Sequence, residues 1–279
     1  MNTTQTLQWL PTSVREVKER GWDVPDVILF SGDAYVDHPS FGGAVVGRLL
    51  ESLGLKVALV PQPNWQDDLR DFRKLGTPRL FFGVSAGSMD SMVNHYTAAR
   101  RRRSDDAYTP DGRAGARPDM PSIVYTRILK KLYPDTPVII GGIEASLRRL
   151  SHYDYWKDTL QPSILIDSGA DMLIYGMGEK PIVELVQQMK NQLSTKESPL
   201  TGNELKKIAA GIPQIAYLSR ASEWTPAEDD IQLYSHEECL ADKKKQASNF
   251  RHIEEESNKY AASRITQAVD NKIVVVNPP

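Results

Sequence analysis

The chain has 279 residues, 40% of them hydrophobic and 25% charged, with a formal net charge of −2. That length lets one large domain, or one domain with an appendage, bury most of its apolar surface, and the near-zero charge excludes the strongly basic surface of a general nucleic-acid binder. Its single cysteine, Cys239, excludes an intramolecular disulfide and any cysteine-built zinc or iron–sulfur site within these residues.

The opening residues lack the basic start and long apolar core of a signal peptide. No apolar run approaches the roughly 20 residues needed to span a bilayer. A cytoplasmic protein is expected.

Short apolar runs alternate with helical stripes. Residues 26–32 read as a buried strand, followed by a polar loop from Asp33 to Ser40. Val45, Val46, Leu49, Leu50 and Leu53 then fall on one helical face, with Gly54 placed as a C-cap. A second strand runs over 56–60 and stops at Pro61; a third covers 79–84 and enters the loop 85–88. The spacing of Val124, Ile128, Leu129 and Leu132 predicts a helix over 122–132, ended by Tyr133-Pro134. Strands follow at 137–142 and 171–176. Pro181 suits a first helical position, and Ile182, Leu185, Val186 and Met189 form the next stripe.

Residues 191–206 read as a polar linker or surface turn, and 212–218 as a strand of a small hairpin. The charged stretch 236–269 reads as mostly helical. The valine run at 273–276, followed by Asn-Pro-Pro, reads as an entry into another element. There is no internal repeat and no low-complexity tract.

Strands alternating with helices imply an α/β fold: a Rossmann-like, doubly wound parallel sheet of about five strands in flavodoxin-like order. Residues 1–206 would form this domain, and 207–279 a small C-terminal extension of hairpin and helical linker. Right-handed crossovers bring the loops at 31–42, 83–98, 141–156 and 176–181 to one edge, where ligands of such sheets bind.

Candidate residues cluster in those loops. Asp33, Asp37 and His38 could shuttle a proton or hold a metal, or could form an Asx-type turn with a satisfied histidine. Glu144, Arg148 and Arg149 follow Gly141-Gly142. The arginines could grip a phosphate or carboxylate, or Glu144 and Arg148 could pair along a helix. His152, Tyr153, Asp154, Tyr155 and Trp156 could stack on a planar ligand or form a packed corner. Glu179 could meet a ligand or its own helix N-terminus. Ser85, Ser88, Asp90, His95 and Tyr96 lack the elbow and spacing of a serine hydrolase, so Ser85 and Asp90 are kept as ligand contacts. The run Arg100–Arg103 could contact phosphates, but Asp105 and Asp106 partly neutralise it. Cys239 has no partner and reads as a structural thiol.

Five stretches in register resemble one family. They are Gly32-Asp33-Ala34-Tyr35-Val36-Asp37-His38-Pro39-Ser40-Phe41-Gly42, Phe81 to Met92, Asp105 to Asp111, Gly141 to Trp156, and Gly176-Met177-Gly178-Glu179-Lys180-Pro181. With them the chain resembles the N-terminal domain of YgiQ-type radical-SAM proteins. The resemblance implies a following barrel whose Cys-x3-Cys-x2-Cys motif binds a [4Fe–4S] cluster and S-adenosylmethionine. With Cys239 alone, this chain departs there, which is expected if it stops before the barrel. A looser resemblance links Gly141-Gly142 and Gly176-Met177-Gly178-Glu179 to cobalamin-binding domains, and implies that the sheet is similar to theirs in fold and strand order. Asp37-His38 has the wrong spacing for the Asp-x-His-x-x-Gly motif of that group.

The expected role is a recognition or accessory domain of a radical-SAM enzyme, not catalytic alone. Its partners would be its own barrel and an unnamed small-molecule or macromolecular substrate, without a membrane. No catalytic or metal-binding residue is assigned. The other readings are a partner-binding module and a cobalamin-binding domain. On the leading reading, Asp33, His38, Glu144, His152 and Glu179 line one shared cleft.

Overall fold

A computed structural model describes residues 9–193 and 202–279. Helix α1 (Val14–Glu19) precedes β1 (Val27–Ser31), and α2 (Gly42–Ser52) leads to β2 (Val57–Pro61). The short α3 (Arg70–Arg73) leads to β3 (Phe81–Ser85), and α4 (Ser91–His95) and α5 (Pro121–Leu132) to β4 (Val138–Gly141). Helix α6 (Ile143–Leu147), the hairpin of β5 (His152–Asp154) and β6 (Thr159–Gln161), and α7 (Ile164–Ser168) precede β7 (Met172–Ile174). Then come α8 (Glu179–Leu193), α9 (Gly202–Ala209), β8 (Ile215–Arg220) and β9 (Ile231–Leu233). Helices α10 (His236–Ala241) and α11 (Lys243–Ser257) and strands β10 (Ile265–Val269) and β11 (Lys272–Val276) complete the described chain.

One nine-stranded sheet runs in the order β2-β1-β3-β4-β7-β8-β11-β10-β9. Its first five strands are mutually parallel. Counted among themselves they follow the flavodoxin order, second-first-third-fourth-fifth, so the doubly wound, Rossmann-like expectation holds. Side chains alternate across the sheet with period two. Ile28, Phe30, Phe82 and Ile140 join one core with Phe72 of α3, Tyr125 and Leu129 of α5 and Leu165 of α7. Val27, Leu29, Phe81 and Ile139 join the other, with Leu50 of α2, Leu185 and Met189 of α8 and Leu205 of α9. A strand buried on both faces must be apolar throughout, which is why 27–30 and 57–60 read as unbroken runs.

The second half departs from expectation. Strand β8 is not part of a small hairpin but adds antiparallel to β7, and β11 lies antiparallel between β8 and β10. The valine run is therefore an interior strand: Val274 and Val275 have no exposed surface. Residues 236–257 are helical apart from Asp242, but 265–269 form β10, turned into β11 at Asp270, whose φ is 50°. In the stretch 191–206, residues 191–193 end α8 and 202–206 begin α9; the rest lies outside the described residues. Among the described residues no helix is long and apolar enough to cross a membrane.

Because β11 joins β8 to β10, deleting residues 272–279 should abolish the cooperative thermal transition and raise binding of a hydrophobic dye. A cooperative transition retained near the parent temperature would contradict the interior placement of β11.

Candidate functional site

The strand ends are held by a buried ion network. Arg117 has a fully buried guanidinium. Its Nη1 donates to Asp33 Oδ1 at 2.7 Å and to Ala86 O at 2.9 Å, and its Nη2 to Asp106 Oδ1 at 3.2 Å. It also lies 5.6 Å from the centre of the Tyr108 ring. Asp33 Oδ2 accepts from Ser88 N at 2.6 Å. Burial pushes the Asp33 carboxyl up despite these bonds. Burial acts the same way on Asp106, but hydrogen bonds led by the Tyr108 N–H outweigh it and hold that carboxyl below its ordinary range. Gly87 lies against Asp33 with φ +113°, where a Cβ would stand 2.0 Å from Oδ1, so only glycine fits.

On the face carrying α2 and α8, the same strand ends open into a cleft of about 390 Å³. Its floor is Leu29–Ser31 of β1, Gly83–Ser85 of β3 and Ile139–Gly141 of β4. Its walls are Gly42, Gly43 and Val46 of α2 and Ile182, Leu185 and Val186 of α8, with Gly176–Glu179 beside the mouth. Eight lining residues are glycines: Gly42, Gly43, Gly83, Gly87, Gly141, Gly142, Gly176 and Gly178. Polar side chains are confined to Ser31, Ser40, Ser85, Ser88 and Glu179. A Cβ on Gly142, whose φ is +84°, would meet Ser85 Oγ at 2.7 Å. The result is a largely apolar cleft lined by glycines and aliphatic side chains at the strand ends.

Of the five residues expected to share one cleft, Glu179 alone lines it. Ser85 also lines it, its Oγ accepting from Gly87 N at 3.1 Å. Asp33 is turned into the ion network. Asp37 pairs with Arg48 of α2, and His38 is exposed, its Nδ1 accepting from Ser40 N at 3.2 Å. Asp90 caps α4, accepting from Met92 N and Val93 N at 3.1 and 3.3 Å, and also pairs with Arg148.

Glu144 is fully buried; its Oε1 accepts from Ser122 N, at the start of α5, at 2.9 Å, and its Oε2 has no partner. Burial pushes its pKa up to about 7. Arg148 bonds the Glu144 carbonyl at 3.2 Å, not its carboxylate, so the expected helical pair is replaced by the Arg148–Asp90 bridge. Arg149 bonds Ser146 O at 2.7 Å and lies 4.9 Å from the centre of the Tyr175 ring. The arginines thus have separate partners and form no shared clamp.

His152 donates from Nδ1 to Leu150 O at 3.1 Å, and burial lowers its pKa to about 4, leaving a neutral ring. Tyr153 is exposed and bonds Asp158. Asp154 caps the β5–β6 turn, accepting from Trp156 N at 2.8 Å and Lys157 N at 3.2 Å. Arg100 stacks on Tyr155 at 4.5 Å, tying the basic run to the hairpin. Cys239 is buried, and Asn249 Nδ2 lies 3.1 Å from its sulfur. No group of three or more His, Cys, Asp or Glu among the described residues is placed to hold a metal. Sequence reasoning missed Arg117, a lone charge in a loop without periodicity; the only signal was the Asp105–Asp111 stretch that meets it.

The profile of the Radical SAM N-terminal family matches residues 9–279. The chain belongs to that family. As a Radical SAM N-terminal domain it is 76% identical to a UPF0313 protein of Bacteroides thetaiotaomicron, over 100% of this chain and 45% of the relative. It is 65% identical to one of Porphyromonas gingivalis over 97% and 41%, and 45% identical to one of Geobacter sulfurreducens over 98% and 43%. The domain thus spans less than half the length of these relatives. One solved structure, the radical S-adenosylmethionine methyltransferase TsrM from Kitasatospora setae with cobalamin and a [4Fe-4S] cluster bound, is 17% identical to it. That match covers 68% of this chain and 26% of TsrM at a TM-score of 0.37, too slight to bear on fold or ligand.

Replacing Arg117 by Met would leave two carboxylates buried and uncompensated, and should cost about 3–5 kcal/mol in urea unfolding; a loss under about 1 kcal/mol would contradict the network's role. Glu144 binds its proton more tightly in the fold than in the unfolded chain. Its contribution is therefore fully present below the ordinary 4.5 and is lost as pH rises through about 7. Glu144→Gln should leave stability at pH 5 nearly unchanged and raise it at pH 8, by at most on the order of 3 kcal/mol. Equal stability of parent and variant at both pH values would contradict the shift.

Proposed function

We propose that this chain is the recognition domain of a radical-SAM enzyme, with the glycine-lined cleft holding the flat, largely apolar part of a substrate or cofactor. The observation that carries the reading is the cleft itself: a concave, preformed slot at the carboxyl ends of parallel strands, where doubly wound folds bind ligands. A [4Fe–4S] cluster and S-adenosylmethionine would be held by the remainder of the longer protein, of YgiQ type, and not by these residues. The chain alone would bind without catalysing. A concave slot favours this over a flat partner-binding surface.

A second reading, cobalamin, is supported by the position of the slot between the helices that follow the first and last parallel strands, over Gly141-Gly142. A ring-bearing side arm would meet open backbone at Gly42 and Gly43 and, on the floor, the hydroxyls of Ser31 and Ser85. His38 immediately precedes the lining residues Pro39 and Ser40 in the chain. Bound cobalamin would supply a cobalt centre for methyl or electron transfer. The part of this chain would be to bind the side arm, orient the ring and exclude water from the slot.

Gly43 offers a clean test, because an added Cβ would meet only ordinary contacts, Leu59 Cδ1 at 3.7 Å and Ser31 Cβ at 3.8 Å. Gly43→Leu should fill the slot without lowering the unfolding temperature. The longer protein, purified without oxygen, should release a small molecule on denaturation, reduced about tenfold in Gly43→Leu, the loss of about 1.4 kcal/mol of binding. Co-elution of a chromophore with added hydroxocobalamin would identify that molecule's class; no released compound and no chromophore would overturn both readings.

A further inference from the structure

Helices cover the two faces of the sheet; at its C-terminal edge the loop carrying Asp106, Tyr108 and Arg117 covers the ends of β1 and β3, and apolar side chains on neighbouring segments remain exposed. Val93, Ile143, Leu147, Tyr155 and Met177 are all substantially exposed, Leu147 at 60% and Met177 at 75%. They stand on segments that follow β3, β4 and β7; Ile143 and Met177 line the cleft, and Val93, Leu147 and Tyr155 stand outside its lining. Isolated exposed apolar residues are ordinary; several gathered at one edge mark a contact surface.

The chain path says what covers it. Strand β11 is antiparallel to β8, and β8 is antiparallel to β7, so β11 runs parallel to β7 and points at this same edge. Its end is tied beside the end of β7. Asn277 N donates to Ile215 O, and Gln214 N donates to Pro278 O, each at 2.9 Å. The Tyr175 hydroxyl donates to Asn277 O. Residue 279 is thus delivered to the edge where the cleft opens. The matched family is an N-terminal one, and more than half the length of the curated relatives lies outside the match.

We propose that the polypeptide following residue 279 in the longer protein docks on this edge, covering Leu147, Tyr155 and Met177 and roofing the mouth of the cleft. A segment tethered at the margin of the patch meets it at an effective concentration on the order of millimolar, which favours it over a second copy. Leu147 and Tyr155 lie outside the lining of the cleft, so protection at these two residues stands or falls apart from the reading above, whatever the cleft binds.

The test is carbene footprinting, read by mass spectrometry, of residues 1–279 and of the protein read through its native stop codon. Labelling at Leu147, Tyr155 and Met177 should fall about fivefold in the longer protein, as surface passes into an interface core. Labelling at Val24, which precedes β1 at the opposite edge, should not change. Leu147→Asp with Met177→Asp in the longer protein should restore labelling at Tyr155. The same pair in residues 1–279 should leave the unfolding temperature unchanged, which separates lost docking from misfolding. Equal labelling in the two proteins would overturn the proposal. So would a stop codon directly after residue 279, or protection that appears in residues 1–279 alone as its concentration rises, which would assign the surface to a second copy.

Discussion

The strand ends depend on one buried cation. Arg117 carries its charge with no exposed side-chain surface, between Asp33 after β1, the Ala86 carbonyl after β3, and Asp106 in the long excursion between β3 and β4. Burying one of these charges alone would cost several kcal/mol; together they compensate one another. Asp33 passes the constraint on, because its second oxygen holds the Ser88 amide and its carboxylate leaves room only for glycine at position 87. Gly87 and Ser88 are lining residues of the cleft. One guanidinium thereby sets the position of a wall it does not itself line.

This arrangement separates two kinds of chemistry. Charge is concentrated in Arg117, Asp33 and Asp106 and in the Asp90–Arg148 bridge, where each group is spent on structure. The cleft keeps glycine, apolar side chains and a few hydroxyls, with Glu179 as its one charged lining residue. A slot of that character contributes shape, close backbone approach and exclusion of water, and leaves reactive groups to be brought by whatever it binds or faces.

Much of the fold was legible because buried parallel strands must be apolar throughout, and the runs at 27–30, 57–60 and 138–140, alternating with helical stripes, carry that pattern. The loops that carry the cleft were legible too, through Gly141-Gly142, Ser85 and Gly176–Glu179. The use of individual side chains was not. Asp33, Glu144, Asp90 and Arg148 stand in the right loops but are drawn into partners that no spacing reveals, Arg117 and Ser122 among them. The valine run at 273–276 was read as a lead-in because the residues that flank it in space, in β8 and β10, are separated from it by unrelated chain or by a tight turn. Antiparallel pairing of that kind leaves no periodic mark on a charged stretch such as 236–269.

The most direct test is amide-resolved NMR mapping of the chain during titration with planar heteroaromatic fragments. The account predicts shifts confined to the amides of Gly43, Ser85, Gly142, Gly178 and their neighbours, around the cleft between α2 and α8. Shifts centred elsewhere, for instance on the polar depression beside Asp230 and Pro278, or no shifts at all, would contradict it.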